Sequence, residues 1–469
     1  MKPGLLQSRT GMQLVSIYVL LIGIVVYADL LKRFIPKMMA TGLIYGIFGG
    51  VALYIFLATG RRRSRWRSLN EDAMPFSPVE RRCDTIIEIG AVFLLVIYAV
   101  QLFFSYFSHG LLRPMIGFLY IGLPLFLIIA AIRPPKFFDI RLFLILFTLA
   151  MLPVHIVGIV QYTVDPEFLV SYSYHETGGV KARNLMQSTG KYLRLPALFA
   201  SGDRYSAVSA LQVLFGIMAW TGPKRIDGRF YLAVVSLAIL LGIVGLIVSG
   251  TRVRVVLLGL SLFFVLPLWG NRAAKQTIVA IGLAAVIAIG FVLAAKDDRQ
   301  SELIESIPLL GMLQETFEQD DIQNRFERAM YMSRIREETT MFGRGLGSVS
   351  SDGTPGEFGI RALWIESGVF WGLLTILGFG IMILGILLRI RVAHLRRNMD
   401  ELLGLNYLLL NLGVALLVGL KAFFDISNVI LILLVLLMAH PVSRFADDHQ
   451  RRASDRVALR SSRPEPPTG

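Results

Sequence analysis

Apolar runs of about 20 residues recur along the whole chain, which is the length a helix needs to cross hydrocarbon. Short polar stretches separate them. Segments that are apolar on every side bury themselves in lipid or against each other, and they cannot surround one water-soluble core. Only 17% of the 469 residues are charged and 55% are hydrophobic, too little charge to cover a soluble domain of this length. The expected fold class is all-α: a polytopic membrane helical bundle of about twelve transmembrane helices, with a long outer loop that itself contains helices.

Basic clusters set the orientation. The run Arg61-Arg62-Arg63-Ser64-Arg65-Trp66-Arg67, followed by Arg81 and Arg82, marks a cytoplasmic loop and so a cytoplasmic N-terminus. From there the spans are expected at 12–31, 39–58, 85–107, 112–132, 142–164, 205–220 and 231–248. An eighth runs from the turn at Arg252 back to Arg272 and Lys275, and the rest lie at 277–295, 360–389, 402–420 and 424–439. Residues 1–295 then carry helices one to nine with a shorter outer loop at 165–203, and 296–359 form the long outer loop. Residues 360–440 carry helices ten to twelve, and 441–469, rich in Arg, Ser and Pro, is expected to be a disordered cytoplasmic tail. Lys32, Arg33 and Lys37 fall on the outer side against the trend.

The net charge of +14 is explained by these flanking clusters, so membrane lipids are expected as partners and nucleic acid is not. Cys83 is the only cysteine and is expected in a cytoplasmic loop, which rules out an internal disulfide and a cysteine metal site. Lys2 and Arg9 precede the first apolar run without a small-residue cleavage pattern, so that run reads as an uncleaved span.

Arginines on the outer side run against the positive-inside trend and need another reason. Arg194 and Arg204 flank Leu195-Pro196-Ala197-Leu198-Phe199-Ala200-Ser201-Gly202-Asp203. Arg252 and Arg254 follow Ser249-Gly250-Thr251 in a very short turn between two spans. A guanidinium at the bilayer boundary is costly and usually faces a polar cavity. Beside the free N–H groups of a helix start, its fork matches phosphate oxygens two at a time. The competing reading is a side chain that merely reaches to the outer headgroups. In the long loop, Arg325, Arg328 and Arg336 fall in an expected helix at 323–340, where Glu327, Glu337 and Glu338 offer ion pairs. Arg325 is the one retained as a substrate contact.

For a proton acceptor, none of the six histidines (His109, His155, His175, His394, His440, His449) lies in the long loop, and His175, in the shorter outer loop, is the weak candidate kept. Glu357, in Pro355-Gly356-Glu357-Phe358-Gly359-Ile360-Arg361, stands at the outer mouth of the tenth span and is the stronger candidate. It is four residues before Arg361, close enough to pair if the helix starts early. A carboxylate favoured by the helix dipole is the alternative. Glu366 lies within the span, where an ionised group needs a partner, so it reads as a second catalytic candidate or a buried hydrogen-bonding group.

In this order the segments resemble the O-antigen polymerase and O-antigen ligase superfamily of bacterial envelope enzymes. The likeness rests on the 194–205 stretch, on Ile247-Val248-Ser249-Gly250-Thr251-Arg252, on Asn324-Arg325 through Met341-Phe342-Gly343-Arg344-Gly345-Leu346-Gly347, and on Trp364-Ile365-Glu366-Ser367-Gly368-Val369-Phe370-Trp371-Gly372. It covers about 192–388. The resemblance implies a multi-pass enzyme of the bacterial inner membrane with both termini cytoplasmic and its active site facing the periplasm. It implies a metal-independent glycosyltransferase without cofactors. The donor would be an undecaprenyl-diphosphate-linked oligosaccharide, the acceptor a glycan, and a chain-length regulator a further partner. Arg194 and Arg252 fall on the family's diphosphate-binding arginines, with Arg204 and Arg254 beside them, and Arg361 would contact substrate.

Ligases of the family carry a His-Asn pair nine residues before the motif glutamate. Glu357 and Phe358 stand there in this chain, which favours a polymerase with Glu357 in the histidine's role. Two alternatives stay open: ligase-type transfer to another lipid or to protein, and a transporter or flippase of an anionic lipid-linked glycan. The sequence shows no internal repeat of the kind many transporters carry.

Overall fold

The computed structural model describes residues 78–110, 140–165, 168–169, 188–189, 192–193, 195–199, 202–221, 229–250, 252–265, 340–346, 348, 359–395 and 399–418, with isolated helical positions between 19 and 50 and between 114 and 129. Among the described residues there are seven helices and one small hairpin. In order they are α1 (Pro78–His109), α2 (Ile140–Thr163), β1 (Ser188–Thr189), β2 (Tyr192–Leu193), α3 (Gly202–Thr221), α4 (Arg229–Ser249), α5 (Arg252–Val265), α6 (Gly359–Leu395) and α7 (Met399–Val418).

Among the described residues, four helical stretches are long and apolar enough to cross a membrane: Arg82–Phe107, Leu142–Thr163, Arg229–Ser249 and Leu363–Leu395. They coincide with the spans expected at 85–107, 142–164, 231–248 and 360–389. The segments expected to span at 205–220 and 402–420 are helical as α3 and α7, and the eighth is helical as α5 as far as Val265, with Arg254–Val265 and Leu402–Gly413 as shorter apolar stretches. The spans at 277–295 and 424–439, the helix expected from 323 and the tail lie outside the described residues. The described residues thus hold seven helices, and of the about twelve spans expected, those at 12–31, 39–58 and 112–132 show only isolated helical positions. Phe103, Phe104, Leu149, Ile156, Leu240, Phe263, Leu373 and Leu377 are exposed, an apolar outer surface suited to lipid.

The helices pack through small residues. In hydrocarbon, apolar surface has no reason to leave lipid, so close backbone approach and van der Waals contact hold helices together. Gly90 lies against Gly378 and Met382, and Gly385 against Ile87 and Cys83. Rising numbers on α1 meet falling numbers on α6, so the two are antiparallel. The same order relates α3 and α4, where Gly216 meets Ile239, Gly242 meets Val213, and Gly245 meets Ser209. α7 bridges the groups by packing on α6, α5 and α3. A side chain at Gly242 would place its Cβ 2.9 Å from the Ser209 carbonyl oxygen. Gly242→Leu is therefore expected to destabilise by about 1–3 kcal/mol, read as a lower melting temperature in detergent; an unchanged melting temperature would contradict this packing.

Two expectations are corrected. Cys83 is not in a loop: it is a buried residue of α1, because the helix starts at Pro78, well before the apolar run. The tenth span is not continuous. α6 breaks at Gly368, whose φ of 68° and ψ of -175° lie outside helical values.

Candidate functional site

The turn between α4 and α5 forms as the sequence indicates. Gly250 has φ +64° and donates its N–H to the Ile247 carbonyl at 3.2 Å, while the Ser249 hydroxyl donates to Leu246 O at 2.9 Å. The carbonyls at the end of α4 are thus satisfied locally, and only Thr251 separates Gly250 from the start of α5 at Arg252.

One turn into α5, the Arg254 guanidinium is 9% exposed and donates from Nη1 to the Asn411 side-chain oxygen. Asn411 Nδ2 in turn donates to the Tyr407 carbonyl at 2.7 Å, which fixes the amide's orientation. The buried Tyr407 ring completes this wall, with its hydroxyl in the field of the Arg254 charge. Among the described residues no carboxylate pairs with Arg254. Its described side-chain partner is the neutral Asn411 amide.

Arg204, in the first turn of α3, is treated differently. It forms an ion pair with Asp29, and the two side chains are 13% and 5% exposed. This contact ties the first apolar segment to α3. Arg204 thus has a structural counter-ion, whereas Arg254 has none among the described residues. Arg194, Arg325 and Glu357 lie outside the described residues, and only the backbones of Arg252 and Arg361 are described. α6 begins at Gly359, two residues after Glu357.

The loop leading to Arg204 is anchored from α2. The hairpin pairs Ser188 with Leu193 and Thr189 with Tyr192, and its second strand ends one residue before position 194. Gln161 then holds the following segment: its Nε2 donates to Phe168 O at 2.9 Å and Ala197 O at 3.3 Å, and its Oε1 accepts from Ala197 N–H at 2.8 Å. Below it, His155 Nδ1 is 2.9 Å from the Tyr205 hydroxyl and its Nε2 is 2.8 Å from Gln212 Oε1. This buried triad fixes α3 against α2 and so sets the height of Arg204. Sequence reasoning passed over His155, although a histidine within an apolar span is itself a signal.

The break in α6 forms a second polar centre. A helix interrupted at Gly368 leaves carbonyls at its first end and N–H groups at its second without helical partners. Residues 340–346 supply them. Arg344 N–H donates to Ile365 O at 2.8 Å and Gly345 N–H to Glu366 O at 2.9 Å. In return Val369 N–H donates to Thr340 O at 3.2 Å and Phe370 N–H to Met341 O at 3.0 Å. Leu346 is buried, and its N–H donates to the Ser105 hydroxyl at 2.9 Å. Beneath this segment lie the buried Glu366 and Ser367, with the Ser367 hydroxyl donating to Gln101 Oε1 at 3.0 Å. The Tyr98 and Thr375 hydroxyls face each other nearby, and Tyr98 lies in the field of the Glu366 carboxylate. Gln101 Nε2 is buried with no hydrogen-bond partner among the described residues, and the Tyr98 and Thr375 hydroxyls have no described partner besides each other.

The sequence-derived residues therefore divide into two centres: Arg252 and Arg254 at the α4–α5 turn, and Glu366 with the glycine-rich segment at the break in α6. Among the described residues no three His, Cys, Asp or Glu side chains gather as a metal site. No protein-family model matches the chain, and no curated protein matches it.

Proposed function

We propose that this chain is a glycosyltransferase of about twelve membrane-spanning helices that polymerises undecaprenyl-diphosphate-linked glycan repeat units at the outer face of the inner membrane. The observation that carries the reading is Arg254, a buried guanidinium whose described partner is the neutral amide of Asn411. Burying a charge without a counter-charge costs several kcal/mol by general estimates, and an anionic ligand offsets that cost. The site lies in the first turn of α5, where free N–H groups and the helix dipole also favour an anion. A diphosphate bridging Arg254 and the helix start would be stabilised further as charge grows on the leaving group. Glu357 and Glu366 remain the candidates for taking the acceptor proton.

The resemblance to the O-antigen polymerase and ligase superfamily supports the same reading, through the Ser249-Gly250-Thr251-Arg252 turn and the Gly343-Arg344-Gly345 and Glu366-Ser367-Gly368 segments. Transfer to a second lipid or to protein uses the same donor site and differs only in the acceptor.

One observation favours a reading of another class. An interrupted membrane helix is common among transporters, whose half-helix ends bind substrate. The deciding assay places a fluorescent polyprenyl-diphosphate oligosaccharide in proteoliposomes. Release of polyprenyl diphosphate supports transfer. An intact donor that changes leaflet overturns it in favour of transport.

A further inference from the structure

The geometry points to a removable plug: residues 340–346 occupy, with their own backbone, a binding site for a hydroxyl-rich glycan in the break of α6. This rests on the glycan-transfer reading above.

The break leaves two acceptors, Ile365 O and Glu366 O, and two donors, Val369 N–H and Phe370 N–H, all now bonded to the plug. A mixed set of neighbouring donors and acceptors suits sugar hydroxyls, which both donate and accept. Behind the plug the same character continues in Glu366, Ser367, Gln101, Tyr98 and Thr375. Gln101 Nε2 is fully buried with no partner among the described residues, and the buried Tyr98 and Thr375 hydroxyls have only each other, which in a membrane helix pair is costly unless a ligand or water engages them. Beside the break, Phe342 contacts Phe370, which contacts Trp371, aromatic faces of the kind that sugar rings stack on. The plug is suited to leaving. Its described attachments include four backbone bonds, the buried Leu346 and the Phe342–Phe370 ring contact, and two glycines, Gly343 and Gly368, meet at its centre without side chains to interlock. When it withdraws, the glycan takes over its bonds and the acceptor hydroxyl comes within reach of Glu366.

The test locks the plug. In a Cys83→Ala background, Ser105→Cys and Leu346→Cys place one thiol on each side of the contact in which Leu346 N–H meets the Ser105 hydroxyl at 2.9 Å. Glycan transfer by the purified full chain is compared before and after reduction. The expected result is a loss of about tenfold or more on oxidation, restored by reductant, because a closed plug blocks the acceptor. Equal rates in both forms overturn the plug. Should the variant be inactive in both forms, amide hydrogen exchange on the unmodified chain decides. The probe is oligosaccharide released by mild acid from the source cell's envelope polysaccharide. Added probe is expected to speed exchange at Arg344 and Gly345 while Val369 and Phe370 stay protected. Exchange unchanged at all four amides overturns the proposal. A chain that transfers no glycan from any donor yet shows this exchange pattern loses the functional reading and keeps the plug.

Discussion

Gly368→Ala lowers the melting temperature of the purified chain sharply and exposes residues 340–346 to protease. Two costs combine. The backbone at Gly368, with φ 68° and ψ -175°, lies in a region essentially confined to glycine and costs an L-residue about 1–3 kcal/mol. The added Cβ would also meet Phe342 C and Thr340 O, each at 2.6 Å, and these are backbone atoms that cannot rotate away. Relief requires the plug to move, which loses four backbone hydrogen bonds of about 1 kcal/mol each. The expected total is about 5–7 kcal/mol, a large part of the stability of an ordinary domain. Gly343→Ala meets the same obstacle from the other side, with its Cβ 2.5 Å from Gly368 N. The double variant is accordingly expected to cost little more than either alone. Gly380→Ala is the control, because nothing lies within 4 Å of its Cβ position. Equal melting temperatures for Gly368→Ala and Gly380→Ala would show that the plug does not seat in the break.

Arg254→Ala is expected to slow glycan transfer by about 100- to 1000-fold, the range typical for removing one stabiliser of a leaving anion. The chain should remain folded, since the variant leaves only the Asn411 amide short of a partner, at about 1–3 kcal/mol. Arg254→Lys keeps the charge and loses the planar fork, so it recovers donor binding better than rate. Asn411→Leu removes the group that aims the guanidinium and should lower the rate by a smaller factor. Measured side by side with melting temperatures, the series separates anion binding from folding. Full activity in Arg254→Ala would assign the residue to packing alone.

Much of the helix pattern is legible from hydropathy. The apolar stretches at 142–164 and 231–248 match α2 and α4 to within a few residues, because uninterrupted apolar runs in lipid have no other way to satisfy their backbone. The turn at Gly250 was legible for a local reason: glycine ends one helix and Arg252 opens the next.

What the sequence hid is long-range. Hydropathy is blind to the break at Gly368, since Val369-Phe370-Trp371 is as apolar as the helix around it; the Ser367-Gly368 pair was the only local sign of a kink. That residues 340–346 fill the break follows from backbone bonds across about twenty residues of sequence, which no side-chain period encodes. Asp29 and Arg204 are 175 residues apart, and each alone reads as an isolated charge in or beside a span. The same holds for Asn411, an amide in an apolar helix whose role appears only with Arg254 across from it.

The most direct test of the glycosyltransferase account uses the purified chain in nanodiscs with a polyprenyl-diphosphate-linked repeat unit and resolves the products by mass. The account predicts a ladder of repeat multiples together with released polyprenyl diphosphate, both suppressed in Arg254→Ala. An intact donor, with no product at any multiple of the repeat, would contradict it.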